Sequence, residues 1–207
     1  MARSKSSNQW LQEHFTDKYV KKSQKQGYRA RSAYKIIEII DKYDLLSGVH
    51  SVVDLGAAPG GWCQVVQEKA PHELTIIGLD LLAIEPIDGV HFIEGDFTED
   101  EVYESLLKAL KGQKINLVLS DMAPNLSGVS ATDQPKSMYL AELALDFCHQ
   151  SLEPGGSHVV KLFQGEGFDA HIKALRESFQ RVVIVKPDSS RARSREVFAI
   201  SMGFKES

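Results

Sequence analysis

The chain has 207 residues, 43% of them hydrophobic and 25% charged, with a formal net charge of −4 at pH 7. That is the length of one domain, with enough apolar surface to bury a core without staples. The polar start MARSKSSNQW lacks the apolar stretch of a secretory signal, and no run approaches the roughly 18 apolar residues that span a bilayer, so a cytoplasmic location is expected.

In chain order, Lys18, Lys21, Lys22 and Lys25 recur at helical spacing on one face. Residues 30–42 place Ala30, Ala33, Tyr34, Ile37 and Ile40 on an apolar stripe, with Arg31 and Lys35 sharing another face. Short β-branched runs then alternate with helical patterns. The runs are SVVDL (51–55), TIIGLD (75–80), VHFIEG (90–95), INLVLSD (115–121), SHVVKLF (157–163), RVVIVK (181–186) and EVFAISMG (196–203). Helices are expected near 60–70, 99–111, 134–151 and 168–178. Such alternation predicts an α/β domain with a mostly parallel sheet and helices on both faces. The last two runs are joined by PDSSRARSR rather than a helix, which makes an antiparallel last strand the expectation. No repeat or linker interrupts the pattern, so the chain divides into a basic extension over 1–29 and one domain over 30–207.

Charge is unevenly spread. Residues 1–35 carry nine Lys/Arg against two acids, residues 36–180 nine against twenty-three, and residues 181–207 six against three. Two basic ends on an acidic body fit a surface that tracks phosphates on one side, although a solvated tail is the usual meaning of a charge run. Arg191, Arg193 and Arg195 alternate, and if extended would project together for bidentate phosphate contacts. With Lys18, Lys21, Lys22, Lys25, Arg29 and Arg31 they form the set expected to contact a nucleic-acid backbone. Cys63 and Cys148 make no CxxC pair and the histidines show no ligand spacing, so no metal is expected.

The first strand runs into Gly56-Ala-Ala-Pro-Gly60-Gly61-Trp62, a turn of small residues that lets a ligand approach backbone and the N–H groups of the next helix. Its spacing is not G-x-G-x-x-G, which weakens a dinucleotide reading. The next three strands end at or near Asp80, Asp96 and Asp121. Carboxylates at successive strand ends are costly to bury unpaired and mark a ligand site, with Asp80 suited to ribose hydroxyls and Asp96 to the adenine end. The alternative is that they cap following helices or loops, and for Asp96 alone the two readings are equal.

The segments RSAYKI, VVDLGAAPGGW, LSDMAPN, VVKLFQGEG and SRARSREVF together resemble the FtsJ/RrmJ family of S-adenosylmethionine-dependent ribose 2′-O-methyltransferases, and the resemblance spans nearly the whole chain from WLQEHFTDKYV (10–20). It implies a single-domain Rossmann-like methyltransferase fold with a seven-stranded sheet. It also implies S-adenosylmethionine as cofactor, bound at Gly60, Trp62, Asp80, Asp96 and Asp121. The catalytic set it implies is Lys35, Asp121, Lys161 and Glu196. Methyl transfer to a sugar hydroxyl needs the oxygen held in line with the methyl carbon and a group to take or orient its proton. Lys161 is placed for that role, either as a neutral base or as a protonated orienting group. The implied substrate is a uridine of 23S ribosomal RNA, methylated in the assembled 50S subunit by a monomeric enzyme. The tetrad alone does not separate this from a cap or transfer-RNA 2′-O-methyltransferase. A non-catalytic ribosome-assembly factor would share the basic surface but has no need of paired charges, and a small-molecule methyltransferase has no need of the basic ends.

Overall fold

The computed structural model describes residues 17–124, 127–191 and 193–206; the start MARSKSSNQW and the first part of the 10–20 segment lie outside the described residues, as does Asn125 of LSDMAPN. The lysine-rich segment is helix α1, Lys18–Gln26, capped by the Asp17 side chain accepting from Tyr19 N. It packs lightly, burying Val20 and Ser23, while Lys18, Lys21, Lys22 and Lys25 are exposed. Helix α2 is Ala33–Tyr43. It buries Ile36, Ile39 and Ile40.

All the expected strands form: β1 Ser51–Leu55, β2 Thr75–Asp80, β3 Val90–Glu94, β4 Ile115–Ser120, β5 Leu152–Phe163, β6 Phe179–Val185 and β7 Glu196–Phe204. Between them run α3 Gly61–Lys69, α4 Asp100–Ala109, α5 Ser130–Ser151 and α6 Phe168–Ser178. The seven strands make one sheet in the order β3-β2-β1-β4-β5-β7-β6. All pairings are parallel except those of β7, which runs antiparallel to β5 and β6.

Strand residues are buried on both sides, as a sheet covered by helices requires. Val53, Leu55, Val118 and Val160 join Leu106, Phe147 and Leu175 in one core with α4, α5 and α6. Val52, Leu117, Leu119, Phe198 and Ile200 join Ile36, Ile39, Val65 and Val66 in the other, with α2 and α3.

Several element boundaries shift by a few residues, and three departures from the sequence reading have a clear physical reason. Helix α5 begins at Ser130, not 134, because Asp133 organises its entry: Oδ1 accepts from Ser127 N and Oγ, and Oδ2 accepts from Gly128 N. An acid in the first turn also suits the helix dipole. Strand β5 starts five residues early, through a bulge between Leu152 and Ser157 that restores register with β4. The link 187–195 is not extended. It turns twice, with Ser190 N bonding Pro187 O and Ser194 N bonding Arg191 O, so the alternation of arginines does not place them in a row.

Candidate active site

Five acidic and basic positions of interest converge at one edge of the sheet. Asp80 ends β2, Asp96 lies two residues past β3, Asp121 follows β4, and Lys161 lies near the end of β5. Because β7 runs the other way, its first residue, Glu196, reaches the same edge. Lys161 pairs across the strands with Phe198, and Phe163 with Glu196, so period-two alternation puts Lys161 and Glu196 on one face. That face is the one covered by α2, which carries Lys35.

Two ion pairs result. Lys161 Nζ donates to the Asp121 carbonyl at 2.6 Å and lies 2.8 Å from Asp121 Oδ1, although that second contact is off line for a hydrogen bond. Lys35, only 8% exposed, places Nζ 2.6 Å from Glu196 Oε1 and 5.6 Å from the centre of the Phe198 ring. A lysine so buried requires its partner. Ser190 Oγ donates to the same Glu196 oxygen at 2.9 Å. Burial pushes the Glu196 carboxyl up, but the Lys35 ammonium, the Ser190 hydroxyl and the nearby Lys161 charge together hold it below its ordinary range. Lys161 therefore acts electrostatically on Glu196, and the four residues form one charged cluster.

Beside this cluster is a pocket of about 260 Å³ lined by Asp80, Asp96 and Asp121, with Leu81, Leu82, Phe97, Met122 and Leu140 among its apolar walls. Its floor depends on Gly56, at φ +79°, where a Cβ would stand 2.8 Å from Met122 N. The β1 and β4 ends can approach this closely only with glycine there. Asp80 accepts from Ala58 N at 2.8 Å and from Leu82 N at 2.9 Å, pinning the glycine-rich turn while leaving acceptor capacity toward the pocket. Asp96 Oδ1 accepts from both Thr98 N and Thr98 Oγ, so it caps its own loop and lines the pocket as well. Exposed Leu81 and Leu82 give flat apolar surface, and three carboxylates favour a cationic, hydroxyl-bearing ligand.

Gly60 and Trp62 do not line that pocket. Gly60 caps α3 at φ +100°, hemmed in by Arg29, Ile84 and Ile87. The Trp62 indole is buried away from the pocket, donating to Ser32 O at 3.0 Å and packing on Phe198. What these two offer a ligand is backbone, at a helix start whose first N–H groups have no acceptor within the helix.

Asp54, in the middle of β1, went unremarked in the sequence. It is 1% exposed, receives the Cys63 thiol at 3.3 Å, and leaves Oδ1 without a partner. Burial raises its pKa to about 7, with the carboxylates of Asp121 and Asp80 adding to the rise and the thiol opposing it. The signal was present as one acid inside an otherwise apolar strand.

The expected RNA-binding residues divide. Lys18, Lys21, Lys22 and Lys25 line the open side of α1, with Lys22 Nζ 4.4 Å from the Tyr34 ring centre. Arg29 turns inward: its guanidinium donates to the carbonyls of Pro59, Glu85 and Pro86, tying the loop after β2 to the glycine-rich turn. Those bonds give it a structural task, and phosphate would have to compete with three carbonyls. Arg31 and Arg191 flank Asp17, with Nε atoms 3.0 and 3.5 Å from Asp17 Oδ2. Arg193 and Arg195 are exposed beyond the turn.

Comparison with known proteins bears on this arrangement. A family model described as FtsJ-like methyltransferase matches residues 28–204. A ribosomal RNA large subunit methyltransferase E of Marinobacter nauticus is 55% identical, over 99% of this chain and 99% of its own. One from Chromohalobacter salexigens is 54% identical, over 97% of this chain and 96% of its own. In three dimensions, the chain resembles a Plasmodium falciparum protein described as a ribosomal RNA methyltransferase, with a TM-score of 0.77 and 33% identity, covering 87% of this chain and all of that one.

Proposed function

The chain belongs to the FtsJ-like methyltransferase family, and from that premise we propose that it transfers a methyl group to the ribose 2′-oxygen of a uridine in 23S ribosomal RNA, within the assembled 50S subunit. The observation that carries this reading is the sharing of Asp121 between the carboxylate-lined pocket and Lys161. A ligand in the pocket is thereby brought next to a lysine that can receive a sugar hydroxyl.

The pocket fits S-adenosylmethionine in its chemistry: acceptors for hydroxyl and amino groups at Asp80 and Asp96, apolar walls for a base, and negative charge for a cation. Bound there, the cofactor supplies an electrophilic methyl group on a positive sulfur. Gly60 and Trp62 contribute backbone at the start of α3. Lys161 holds the 2′-hydroxyl, taking its proton when neutral or orienting it when charged. Asp121 fixes the lysine through both its carbonyl and its carboxylate. The Lys35–Glu196 pair sets the local field and borders the ribose.

RNA reaches this edge along the exposed lysines of α1, the Arg31–Arg191 pair, and Arg193 and Arg195, with residues 1–29 serving as a basic extension of the domain over 30–207. The protein works as a cytoplasmic monomer. Among the described residues, no helix is long and apolar enough to cross a membrane. The names of its relatives disfavour a cap or transfer-RNA substrate, and the paired charges disfavour a purely binding role. Mapping ribose methylation in ribosomal RNA by mass spectrometry, from cells with and without the gene, tests the proposal. Loss of one 2′-O-methyluridine from 23S RNA is expected, and an unchanged map would refute it.

A further inference from the structure

The Asp17 node has a geometry that ordinary bracing does not require. Its carboxylate does two separate things. Oδ1 accepts from Tyr19 N at 2.9 Å and caps α1, whereas Oδ2 sits between Arg31 Nε and Arg191 Nε at 3.0 and 3.5 Å. The second arrangement is imperfect. Arg31 Nε is buried and, despite the short distance, has no aligned acceptor. Elsewhere the guanidinium is well held, since Nη2 donates to Ser189 O at 2.6 Å and the Tyr19 ring centre lies 5.9 Å from Cζ. The loop that carries Arg191 is anchored too: Glu38 accepts from Asp188 N and Ser189 N, at 2.7 and 3.1 Å. Two arginines are thus fixed around one poorly aligned oxygen. The node adjoins the charged cluster, because the next residue, Ser190, donates to Glu196.

We infer that Arg31 and Arg191 form a phosphodiester subsite beside the reacting ribose, and that Asp17 Oδ2 occupies it in the free protein as an exchangeable counter-anion. This rests on the RNA-facing reading above and adds to it the residue that RNA must displace. A phosphate carries the same single charge and offers two unbridged oxygens, enough to meet both guanidinium groups bidentately. A planar carboxylate whose other oxygen is tied to a helix cap cannot do so. Exchange leaves Oδ1 on Tyr19 N, so α1 keeps its cap while Oδ2 is released. Without RNA, the carboxylate keeps two partly buried like charges from facing each other unpaired.

Asp17→Asn removes the charge and keeps a capping oxygen, since Asn caps as well as Asp. The probe is the 50S subunit carrying unmodified 23S ribosomal RNA, titrated by co-sedimentation from about 50 to about 200 mM KCl. With its resident anion gone, the variant is expected to bind several-fold more tightly at low salt, and much of that gain should vanish in an Arg191→Ala background. Asp17→Ser, a second uncharged cap, repeats the comparison should the Asn protein prove unstable. Affinity equal to or weaker than wild type in a folded Asp17 variant overturns the exchange. The underlying reading fails differently: if Arg31→Ala and Arg191→Ala lose neither affinity nor salt dependence, RNA does not pass this way at all.

Discussion

The sheet has an acidic half and a basic half, and they are built on opposite principles. In the half made by β3, β2, β1 and β4, the carboxylates of Asp80 and Asp96 stand where strands end and accept backbone N–H groups two residues on, from Leu82 and Thr98. In the half made by β5, β7 and their covering helices, each charged group is fixed by a partner remote in sequence: Lys35 by Glu196, Arg31 by Ser189, Lys161 by Asp121. A local scaffold keeps a ligand pocket shaped whether or not ligand is bound. A scaffold of long-range ion pairs ties the reacting groups to the placement of several elements at once. The halves meet at Asp121, and that junction is where they can be separated experimentally.

The largest expected effect is that of Lys161→Ala, which should abolish turnover while leaving cofactor affinity close to wild type. Its side chain belongs to the basic half, and the pocket is shaped by Asp80, Asp96 and the Gly56 turn without it. Single-turnover rates beside isothermal titration with S-adenosylmethionine separate the two properties. A near wild-type rate would remove Lys161 from the chemistry, and a collapse of cofactor binding would show that the halves are not independent.

Asp54 tests the acidic half through stability. Its folded pKa of about 7 lies above the ordinary 3.8, so the folded protein retains a proton that the unfolded chain gives up between those values. Stability from this group is therefore full below about pH 4, falls as pH rises, and is lost above 7, by at most about 1.4 kcal/mol per pH unit. Asp54→Asn does not ionise, so its Tm advantage over wild type should grow from near zero at acid pH to several degrees at pH 8. His158 and His171, both lowered to about 4 by burial, act in the opposite direction, costing stability as pH falls below about 6.5. They are common to both proteins and cancel in the difference. A Tm difference independent of pH would show that Asp54 is not a buried, titrating acid.

Asp80→Ala should weaken cofactor binding by about 1–3 kcal/mol, the cost of leaving polar partners unpaired, with RNA affinity unchanged. Part of that loss comes through the turn, since Asp80 also holds Ala58 N. Asp80→Asn keeps an acceptor oxygen for one of the two N–H groups and should lose less. Equal losses in the two variants would assign the whole effect to charge and none to the shape of the turn.

Legibility followed the same division. The sheet could be read because β1, β2 and α6 are bounded by abrupt changes of residue type, and the Asp80, Asp96 and Asp121 series could be read because strand ends announce ligand edges. The glycine-rich turn was legible as a turn, but not that Trp62 packs away from the pocket on Ser32 and Phe198, since burial direction depends on α2. Arg29 and Arg31 read as surface cations because charge in a sequence carries no direction; carbonyls of Pro59, Glu85 and Pro86 and the distant Ser189 turned them inward. The arginine alternation failed for a local reason, the Arg191–Ser194 turn, which period-two counting does not detect. Asp17 entered the sequence reading only as one of two acids counted among the first 35 residues.

The smallest expected effects belong to the exposed lysines of α1, and they sharpen the comparison because nothing in the fold depends on them. Lys21 and Lys25 are exposed on a helix whose buried residues are Val20 and Ser23, so Lys21→Ala and Lys25→Ala should leave Tm within a degree or so of wild type. If the helix lies along the RNA backbone, each variant should weaken 23S RNA binding only modestly. Each should also reduce the slope of log K against log[salt] by about 0.7–0.9, one released counterion per lost phosphate contact. Cofactor affinity should not change, because neither lysine lines the pocket. The lysines thereby differ from Arg31 and Arg191, whose removal disturbs the Asp17 node and the loop leading to Glu196 as well as any phosphate contact. A double variant that keeps the wild-type slope would take α1 off the RNA path. The basic half would then reduce to the groups held by long-range partners, and the charge of the tail would serve only solubility.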